Sequence, residues 1–315
     1  MDDRIRGVNL SGWFIPEPWV TPSLFAATGA STDAELQENL GTVEYNERIR
    51  QHYETFITEE DFRRMSSIGL NAVRIPVPWH VFGLQNDAAT YISAIDYIDR
   101  AMEWGSKYNV SVLLDLATVP GGQGDSNEPQ TTSRYIADWH SSTNGRHVAL
   151  EVLERLAARY AVADALYGIE LLDSPVMSVR KNMFTMTDGI PGHYLRNFYR
   201  DAYDLLRKHM TNDKAVVFSA SGYPGLWKHF MRSSQYKNVM MDVHLYHYHD
   251  ENALMSSASV TPEGRSAYER VFVANQLASF SQAEGWFFQT WKTEKRIAAW
   301  DARLALGTLE RAMLD

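Results

Sequence analysis

Short runs rich in β-branched residues alternate with longer amphipathic stretches along almost the whole of this 315-residue chain. This alternation predicts parallel strands joined by helices, because a parallel connection must carry the chain back along the sheet. Eight such units close into a barrel in about 250 residues. The length therefore favours one (β/α) barrel over two ordinary domains. We predict a single α/β domain that spans residues 1–315.

Seven strands and five helices can be placed from the residue pattern. The strands are predicted at Ile5–Leu10, Ala72–Val77, Val110–Leu116, Leu166–Leu172, Ala215–Ala220, Val239–Tyr246 and Trp286–Trp291. The helices are predicted at Glu59–Ile68, Tyr91–Tyr108, Arg146–Tyr160, Tyr194–His209 and Ala298–Met313. Two long stretches, Phe25–Gly41 and Pro120–Gly145, are predicted as irregular rim loops over a pocket.

The eighth strand, seventh in chain order, has no firm place in the sequence. The interval from Tyr246 to Gly285 is short for the elements it must hold, because a complete βα unit takes roughly 30 residues. Thr261-Pro262-Glu263 is typical of a helix start. Val271-Phe272-Val273 is the alternative position for a short strand. The barrel is therefore predicted to be irregular or incomplete around strand seven.

The composition excludes several classes of protein. A formal charge of −9 and a pI near 5.6 supply no basic surface for phosphates, so nucleic acid is not an expected partner. No apolar run of about 18 residues is present, so no membrane span is expected. The acidic start Met1-Asp2-Asp3 is unlike a signal peptide, and the absence of cysteine suits a reducing compartment. We expect a cytoplasmic protein, and secretion remains open if a leader was removed.

Characteristic motifs are spread over nearly the whole chain. They are Gly7–Trp13, Glu17–Phe25, Thr58–Phe62, Gly69–Pro76, Pro120–Gln123, Gly168–Pro175, Asp242–Tyr246 and Gly285–Glu294. Together they resemble the exo-β-1,3-glucanase branch of family 5 glycoside hydrolases. The resemblance implies a (β/α)8 TIM barrel whose pocket opens at the carboxyl ends of the strands. It also implies a carbohydrate partner, a β-glucan or β-glucoside oligosaccharide, with neither a metal nor another cofactor.

Several residues match the part of the family's site that holds the substrate. Glu17 matches a carboxylate that accepts hydrogen bonds from sugar hydroxyls, although a solvated loop acid is the alternative. His244 and Tyr246 match pocket residues and share one face of their strand by the period of two. A structural histidine is the alternative for His244. Trp291 belongs to the same substrate-binding set.

Arg74 also matches a pocket residue of the family, where the arginine orients the nucleophile. A guanidinium within an apolar strand needs an acidic partner when it is buried. Asp115 is such an acid, so an ion pair between Arg74 and Asp115 is the alternative role.

The catalytic part of the family's site is depleted. Ser174 stands where the family has its acid/base glutamate, and a serine hydroxyl cannot protonate a glycosidic oxygen as a carboxylic acid can. Ala117 replaces a site histidine, and Gln289 replaces the tryptophan that floors the sugar pocket. The Gly-Glu-Trp motif of the nucleophile is absent from the sequence. Asp173 is a possible stand-in for the acid, but adjacent residues on a strand point to opposite faces.

A group of histidines invites a metal-site interpretation that the spacing does not favour. His244, His247 and His249 lie near Asp250, yet His244 and His247 face opposite sides of a continuing strand. We therefore predict no metal site here.

Three functional hypotheses remain open. The first is a barrel that binds a β-glucan or β-glucoside and has lost the standard retaining mechanism of two carboxylates. The second is an active retaining β-glucosidase or exo-β-1,3-glucanase whose nucleophile segment is absent from this sequence. The third is a non-catalytic scaffold or regulatory partner.

Overall fold

The computed structural model describes residues 4–85, 90–120, 138–183, 185–245, 280, 283–297 and 300–306. Eleven strands are defined in these ranges. They are β1 (Ile5–Asn9), β2 (Ala72–Val77), β3 (Leu84–Gln85), β4 (Thr90–Tyr91), β5 (Ser111–Leu116), β6 (Leu166–Glu170), β7 (Met177–Ser178), β8 (Ile190–Pro191), β9 (Ala215–Ser219), β10 (Val239–Asp242) and β11 (Gly285–Phe288).

Seven of these strands form one parallel sheet in the order β10-β9-β6-β5-β2-β1-β11. The sheet curls into an incomplete (β/α)8 barrel. Among the described strands, β10 and β11 each have one neighbour, so the sheet is open between them. The short strands pair separately, β3 with β4 and β7 with β8.

Seven helices are defined in the described ranges, and all but the last lie between strands along the chain. They are α1 (Pro22–Phe25), α2 (Asp33–Thr55), α3 (Glu59–Ser67), α4 (Ile95–Tyr108), α5 (Thr143–Tyr160), α6 (Gly192–Leu206) and α7 (Ala302–Ala305), with 3-10 turns at Asp138–Ser141 and Pro224–Trp227. None of the helices in the described ranges is both long enough and apolar enough to cross a bilayer.

The central strands are apolar because both faces of the sheet are covered. All six residues of β2 are buried, and β2 pairs with β5 from Ala72 opposite Ser111 to Val77 opposite Leu116. Close packing of neighbouring strands also requires a glycine at one point. A Cβ on Gly168 would lie 2.3 Å from the carbonyl oxygen of Ala215, so only glycine fits there.

The seven predicted strands are present, with ends that differ by a few residues. The strand predicted at Val239–Tyr246 ends at Asp242, and Tyr246 lies outside the described residues. The alternative seventh strand at Val271–Val273 also lies outside them. Of the closing helix predicted at Ala298–Met313, the described part is α7.

The prediction of an irregular loop at Phe25–Gly41 was wrong, because α2 begins at Asp33. The Thr32 hydroxyl accepts a hydrogen bond from the Glu35 amide, which caps the helix by satisfying one of its free backbone N–H groups. Gly41 interrupts the helical dihedral angles with φ 71° and ψ 161°. The helix therefore bends there.

Candidate functional site

A polar cluster lies at the carboxyl-terminal half of the sheet. Asn9, Glu170 and Asp242 are the last residues of β1, β6 and β10, and Asp115 is one residue from the end of β5. Parallel strands bring their carboxyl ends to the same edge, which is where barrels of this type form their pockets. Neighbouring strands therefore assemble side chains that are far apart in sequence.

Arg74 on β2 is the centre of this cluster. Its Nε lies 2.8 Å from Glu170, and its Nη2 lies 2.9 Å from Asp173 and 3.1 Å from Asp115. Its Nη1 donates a 3.4 Å hydrogen bond to the Asn9 side chain. The side chains of Asp115 and Glu170 are fully buried, and that of Arg74 is 6% exposed. The predicted pairing of Arg74 with Asp115 is therefore confirmed, and two further carboxylates share the same guanidinium.

The pKa values of three buried members of this cluster, Glu170, Asp115 and Arg74, are shifted from their ordinary values. Burial raises the pKa of Glu170 to about 7, although the charge of Arg74 opposes the shift. Burial likewise raises the pKa of Asp115 well above its usual range. For Arg74, burial acts to lower the pKa, but the surrounding carboxylates raise it further. The guanidinium stays charged, and it does not fully offset the cost of burying so many acids.

A second group of side chains adjoins the Arg74 cluster on the side of β10. The Ser174 Oγ lies 2.7 Å from Nδ1 of His244, and Nε2 of His244 lies 2.7 Å from Asp242. Asp173 is 3.6 Å from the same Nε2. Burial acts to lower the pKa of His244, but Asp242 and Asp173 raise it to about 9. Burial acts in the opposite sense on Asp242, whose pKa is nevertheless lowered by His244.

Asp173 and Ser174 reach the same imidazole, which differs from the alternation predicted for a strand. The strand β6 ends at Glu170, so the rule for alternate faces does not apply to the residues that follow. The Asp173 amide donates to the Leu116 carbonyl, and Ser174 has a φ of +35°. The turn that follows the strand therefore directs both side chains towards His244.

Gln289 is connected to the cluster through the side chain of Asn9. Its Oε1 accepts a 2.5 Å hydrogen bond from Asn9, and its Nε2 donates to the Ser11 hydroxyl at 2.7 Å. Asn9 in turn links this group to Arg74. The Gln289 amide is thus held by neighbouring polar groups.

Two other predicted binding residues lie in different environments. Glu17 is half-buried in the loop after β1, where Trp19 donates a 2.8 Å hydrogen bond to its carboxylate. Trp291 has no exposed surface, and its indole nitrogen donates to Asp61 at 2.8 Å. The prediction that Trp291 binds substrate is therefore corrected: the ring belongs to the packing between the sheet and α3, where the Asp61 partner satisfies its N–H.

Of the remaining predicted positions, Ala117 is the one within the described residues. Ala117 follows β5, and its amide donates to the Val77 carbonyl. Tyr246 lies outside the described residues, as do His247, His249 and Asp250.

One set of side chains has the spacing of metal ligands. Single donor atoms of Glu170, Asp173 and His244 lie within 4.8 Å of one another. However, Glu170 and Asp173 already form ion pairs with Arg74. We therefore assign no metal-ligand set to these residues.

The sequence did not single out Glu170 or Asp242 as members of the site. Glu170 is an acid at the end of the apolar run Leu166–Glu170, and Asp242 ends the strand that precedes His244. An acid at the end of an otherwise apolar strand is a usable signal, because burying it requires a partner.

The fold and the cluster define an α/β barrel with a charged cluster at the carboxyl ends of its strands. Sequence comparison finds glucan 1,3-beta-glucosidases among the relatives. The Schwanniomyces occidentalis protein is 28% identical over 375 positions, which cover 95% of this chain and 85% of the relative. The Blumeria graminis protein is 35% identical over 259 residues, 80% of this chain and 57% of the relative. The chain thus spans little more than half the length of the second relative.

Solved structures show the same fold. The rutinosidase from Aspergillus niger matches with a TM-score of 0.77 at 17% identity, over 100% of this chain and 99% of the other. The endoglucanase Cel5A from Thermotoga maritima matches with a TM-score of 0.57 at 11% identity, over 99% and 96%. No family model matches the chain. The named relatives and the structural neighbours fit family 5 of the glycoside hydrolases.

Internal differences in length are also evident. The alignment with the Schwanniomyces occidentalis protein covers 375 positions, more than the 315 residues of this chain. That relative therefore contains segments without a counterpart here.

Proposed function

We propose that this chain is a single family 5 glycoside-hydrolase-like domain that binds a β-glucan or β-glucoside and lacks the standard retaining mechanism. The observation that carries the proposal is the Ser174 hydroxyl. It occupies the position of the family's acid/base and is hydrogen-bonded to His244 at 2.7 Å. The names of the relatives support the substrate class.

Loss of the standard mechanism follows from the state of the nearby carboxylates. Retaining glycosidases need two carboxyl groups roughly 5–5.5 Å apart, with one of them able to protonate the leaving oxygen. Glu170 and Asp115 have no exposed surface, so neither can contact a sugar. The side chain of Asp173 is 24% exposed, but its Oδ1 is held by Nη2 of Arg74 at 2.9 Å.

Binding can survive because the polar rim is retained. Glu17, His244 and Gln289 are partly exposed and offer acceptors and donors to sugar hydroxyls. The rings of Trp19 and Trp300 lie edge to face, with centroids 5.6 Å apart, beside Glu17. Such aromatic surfaces suit the apolar face of a pyranose.

Calorimetry with laminaritriose tests the proposal. We expect the full-length chain to bind it, and the Glu17→Gln variant to bind at least about fivefold more weakly because a charged hydrogen-bond acceptor is lost. Glu44→Gln on the exposed face of α2 is the matched control and should bind as the wild type does. An absence of heat with laminaritriose and with 4-nitrophenyl β-glucoside would contradict sugar binding and favour the scaffold hypothesis.

An active retaining glycosidase is the second candidate, and the internal segments that the Schwanniomyces occidentalis relative has in addition favour it. Turnover of 4-nitrophenyl β-glucoside reports a surviving nucleophile, since this leaving group needs little acid assistance. We expect no turnover by the wild type or by the Ser174→Glu variant. Turnover by either protein, or a Gly-Glu-Trp segment in the full gene between Asp250 and Thr261, would contradict loss of the nucleophile.

Cytoplasmic residence is part of the proposal, and the absence of cysteine supports it. Fractionation of cells that express the full gene with a C-terminal tag tests it. Recovery of the tagged protein from the culture medium would contradict it.

A further inference from the structure

We propose that Ser174, His244 and Asp242 form a hydrolytic triad that cleaves carboxylic esters. This activity goes beyond the proposed function and does not depend on it, because it uses neither sugar binding nor a glycosidic bond. The three side chains come from the turn after β6 and from the end of β10, and they are joined by two hydrogen bonds of 2.7 Å.

The two hydrogen bonds assign different roles to the two imidazole nitrogens. A neutral imidazole carries one proton, so one nitrogen donates and the other accepts. Asp242 is a carboxylate at Nε2 and therefore holds the proton there. The lone pair of Nδ1 then faces the Ser174 hydroxyl, which is the relation of a general base to its nucleophile. Triads are recognised by such roles rather than by their order in the sequence.

The backbone at Ser174 presents its hydroxyl in the manner of a nucleophile. The residue has a φ of +35°, which is uncommon for residues other than glycine. It follows a buried parallel strand and lies at the carboxyl edge of the sheet, where a tight turn exposes a serine in α/β hydrolases. Ser174 is only partly buried, so a substrate carbonyl can approach its Oγ.

The reaction balances with these three residues and water. Ser174 Oγ attacks the ester carbonyl carbon, and its proton passes to Nδ1 of His244. The alkoxy oxygen leaves with that proton, and the acyl group remains on Ser174. Water then attacks the acyl carbon and gives a proton to His244, which returns it to Ser174 Oγ. The net change is ester plus water to carboxylic acid plus alcohol, while Asp242 stabilises the transient imidazolium.

The pH dependence follows from the charges that face His244. Asp242 and Asp173 face it from β10 and from the turn after β6, whereas the more distant charge of Arg74 on β2 opposes them. Glu170 is close to Asp173 and to the ring. Because these groups hold the pKa of His244 at about 9, the free base forms mainly above that pH. The reactivity of Ser174 should therefore rise from pH 7 to pH 10.

Labelling of the full-length chain with a fluorophosphonate tests the triad. The probe forms a phosphonyl ester on an activated serine with loss of fluoride. We expect a single addition by intact mass, located on Ser174 by peptide mapping, and a rate at least tenfold higher at pH 9.5 than at pH 7. Peptide mapping uses the wild-type protein, so the result does not depend on the folding of a variant. No addition at any pH, or an addition on another residue alone, would overturn the proposal.

Three variants refine the result. Ser174→Ala should abolish labelling. Asp242→Asn should reduce the plateau rate roughly 10²–10⁴-fold and move the rising limb towards pH 6.5, since it removes the charge that holds the imidazole. Ser178→Ala is the matched control. Ser178 lies four residues after Ser174 in the chain, and its hydroxyl donates to the Thr187 carbonyl, so labelling should be unchanged. Each variant is checked by its thermal unfolding midpoint.

Turnover of 4-nitrophenyl acetate separates hydrolysis from mere reactivity. We expect catalytic release of 4-nitrophenol with the same rising limb near pH 9, and loss of release in Ser174→Ala. A single burst without turnover, or equal release by wild type and Ser174→Ala, would overturn the hydrolytic assignment. Laminaritriose binding is measured independently, so failure of the triad and failure of the sugar-binding proposal are distinguishable.

Discussion

The centre and the edges of the sheet differ in how completely they are packed. At the centre, all six residues of β2 are buried between β1 and β5. At the edges, β10 and β11 each pair on one side among the described strands, and none of their residues is fully buried. The charged cluster includes residues from both regions, because Arg74 lies on β2 whereas Asp242 ends β10.

This difference separates the part of the site that depends on the core from the part that can change. Arg74 and its acids are held by packed strands, and removal of one charge leaves the others buried without a partner. Ser174 and His244 lie beside the less packed edge, where exposure is greater. Substitutions at the centre should therefore affect folding, and substitutions at the edge should affect chemistry more than folding.

Removal of the central charge should produce the largest effect on stability. We expect Arg74→Met to lower the free energy of unfolding by about 3–5 kcal/mol, because Asp115, Glu170 and Asp173 lose their shared cation. Urea unfolding at pH 7 measures the change. The exposed pair Arg63–Glu60 supplies the control, and Arg63→Met should lower the stability far less, because solvent already screens that charge. Equal losses in the two variants would show that burial does not distinguish these cations.

Apolar truncations compare the same two regions without any change of charge. Ile75→Ala in β2 should cost about 2–5 kcal/mol, because the fully buried side chain leaves a cavity. Met241→Ala in β10, where the side chain is 40% exposed, should cost about 0.5 kcal/mol or less. Guanidinium unfolding midpoints measure both. A cost at Met241 that matches the cost at Ile75 would mean that the edge is packed as tightly as the centre.

Titration of His244 should produce a smaller, pH-dependent effect. Its folded pKa of about 9 lies above the unfolded value of about 6.5, so the folded state binds the proton more tightly. The stabilisation is fully present below pH 6.5 and is lost as the pH rises through 9, with a total of roughly 2–4 kcal/mol. Urea unfolding between pH 6 and pH 10 measures it.

Asp242→Asn should remove most of this pH dependence, because the carboxylate at Nε2 is its main favourable cause. The exposed His229→Gln is the control and should keep the wild-type profile. A wild-type stability that is constant from pH 6.5 to pH 9 would contradict the ion pair. Glu170 gives a separate effect at lower pH. Its folded pKa of about 7 lies above its ordinary value, so the stabilisation from its bound proton is lost as the pH rises from about 4 to 7.

The sequence predicted the barrel strands well because each carries a short, strongly apolar run such as Ala72–Val77. It failed at α2, where many polar residues and the break at Gly41 conceal a helix that begins at a capped Asp33. From the motifs it named Arg74, Ser174 and His244, which the structure brings into one cluster, and their part in sugar binding stays a prediction. It misplaced Trp291, because the motif does not reveal which face of the chain is buried.

The sequence by itself determined the αβ alternation and the positions of the central strands. The tertiary structure decided which charges meet. Asp115, Glu170 and Asp173 share Arg74 because β5 lies beside β2 and β6 lies beside β5 in the sheet, an order that no local pattern specifies. It also decided that Asp173 and Ser174 reach His244 together, because β6 ends at Glu170 and the turn that follows abandons the alternation of a strand.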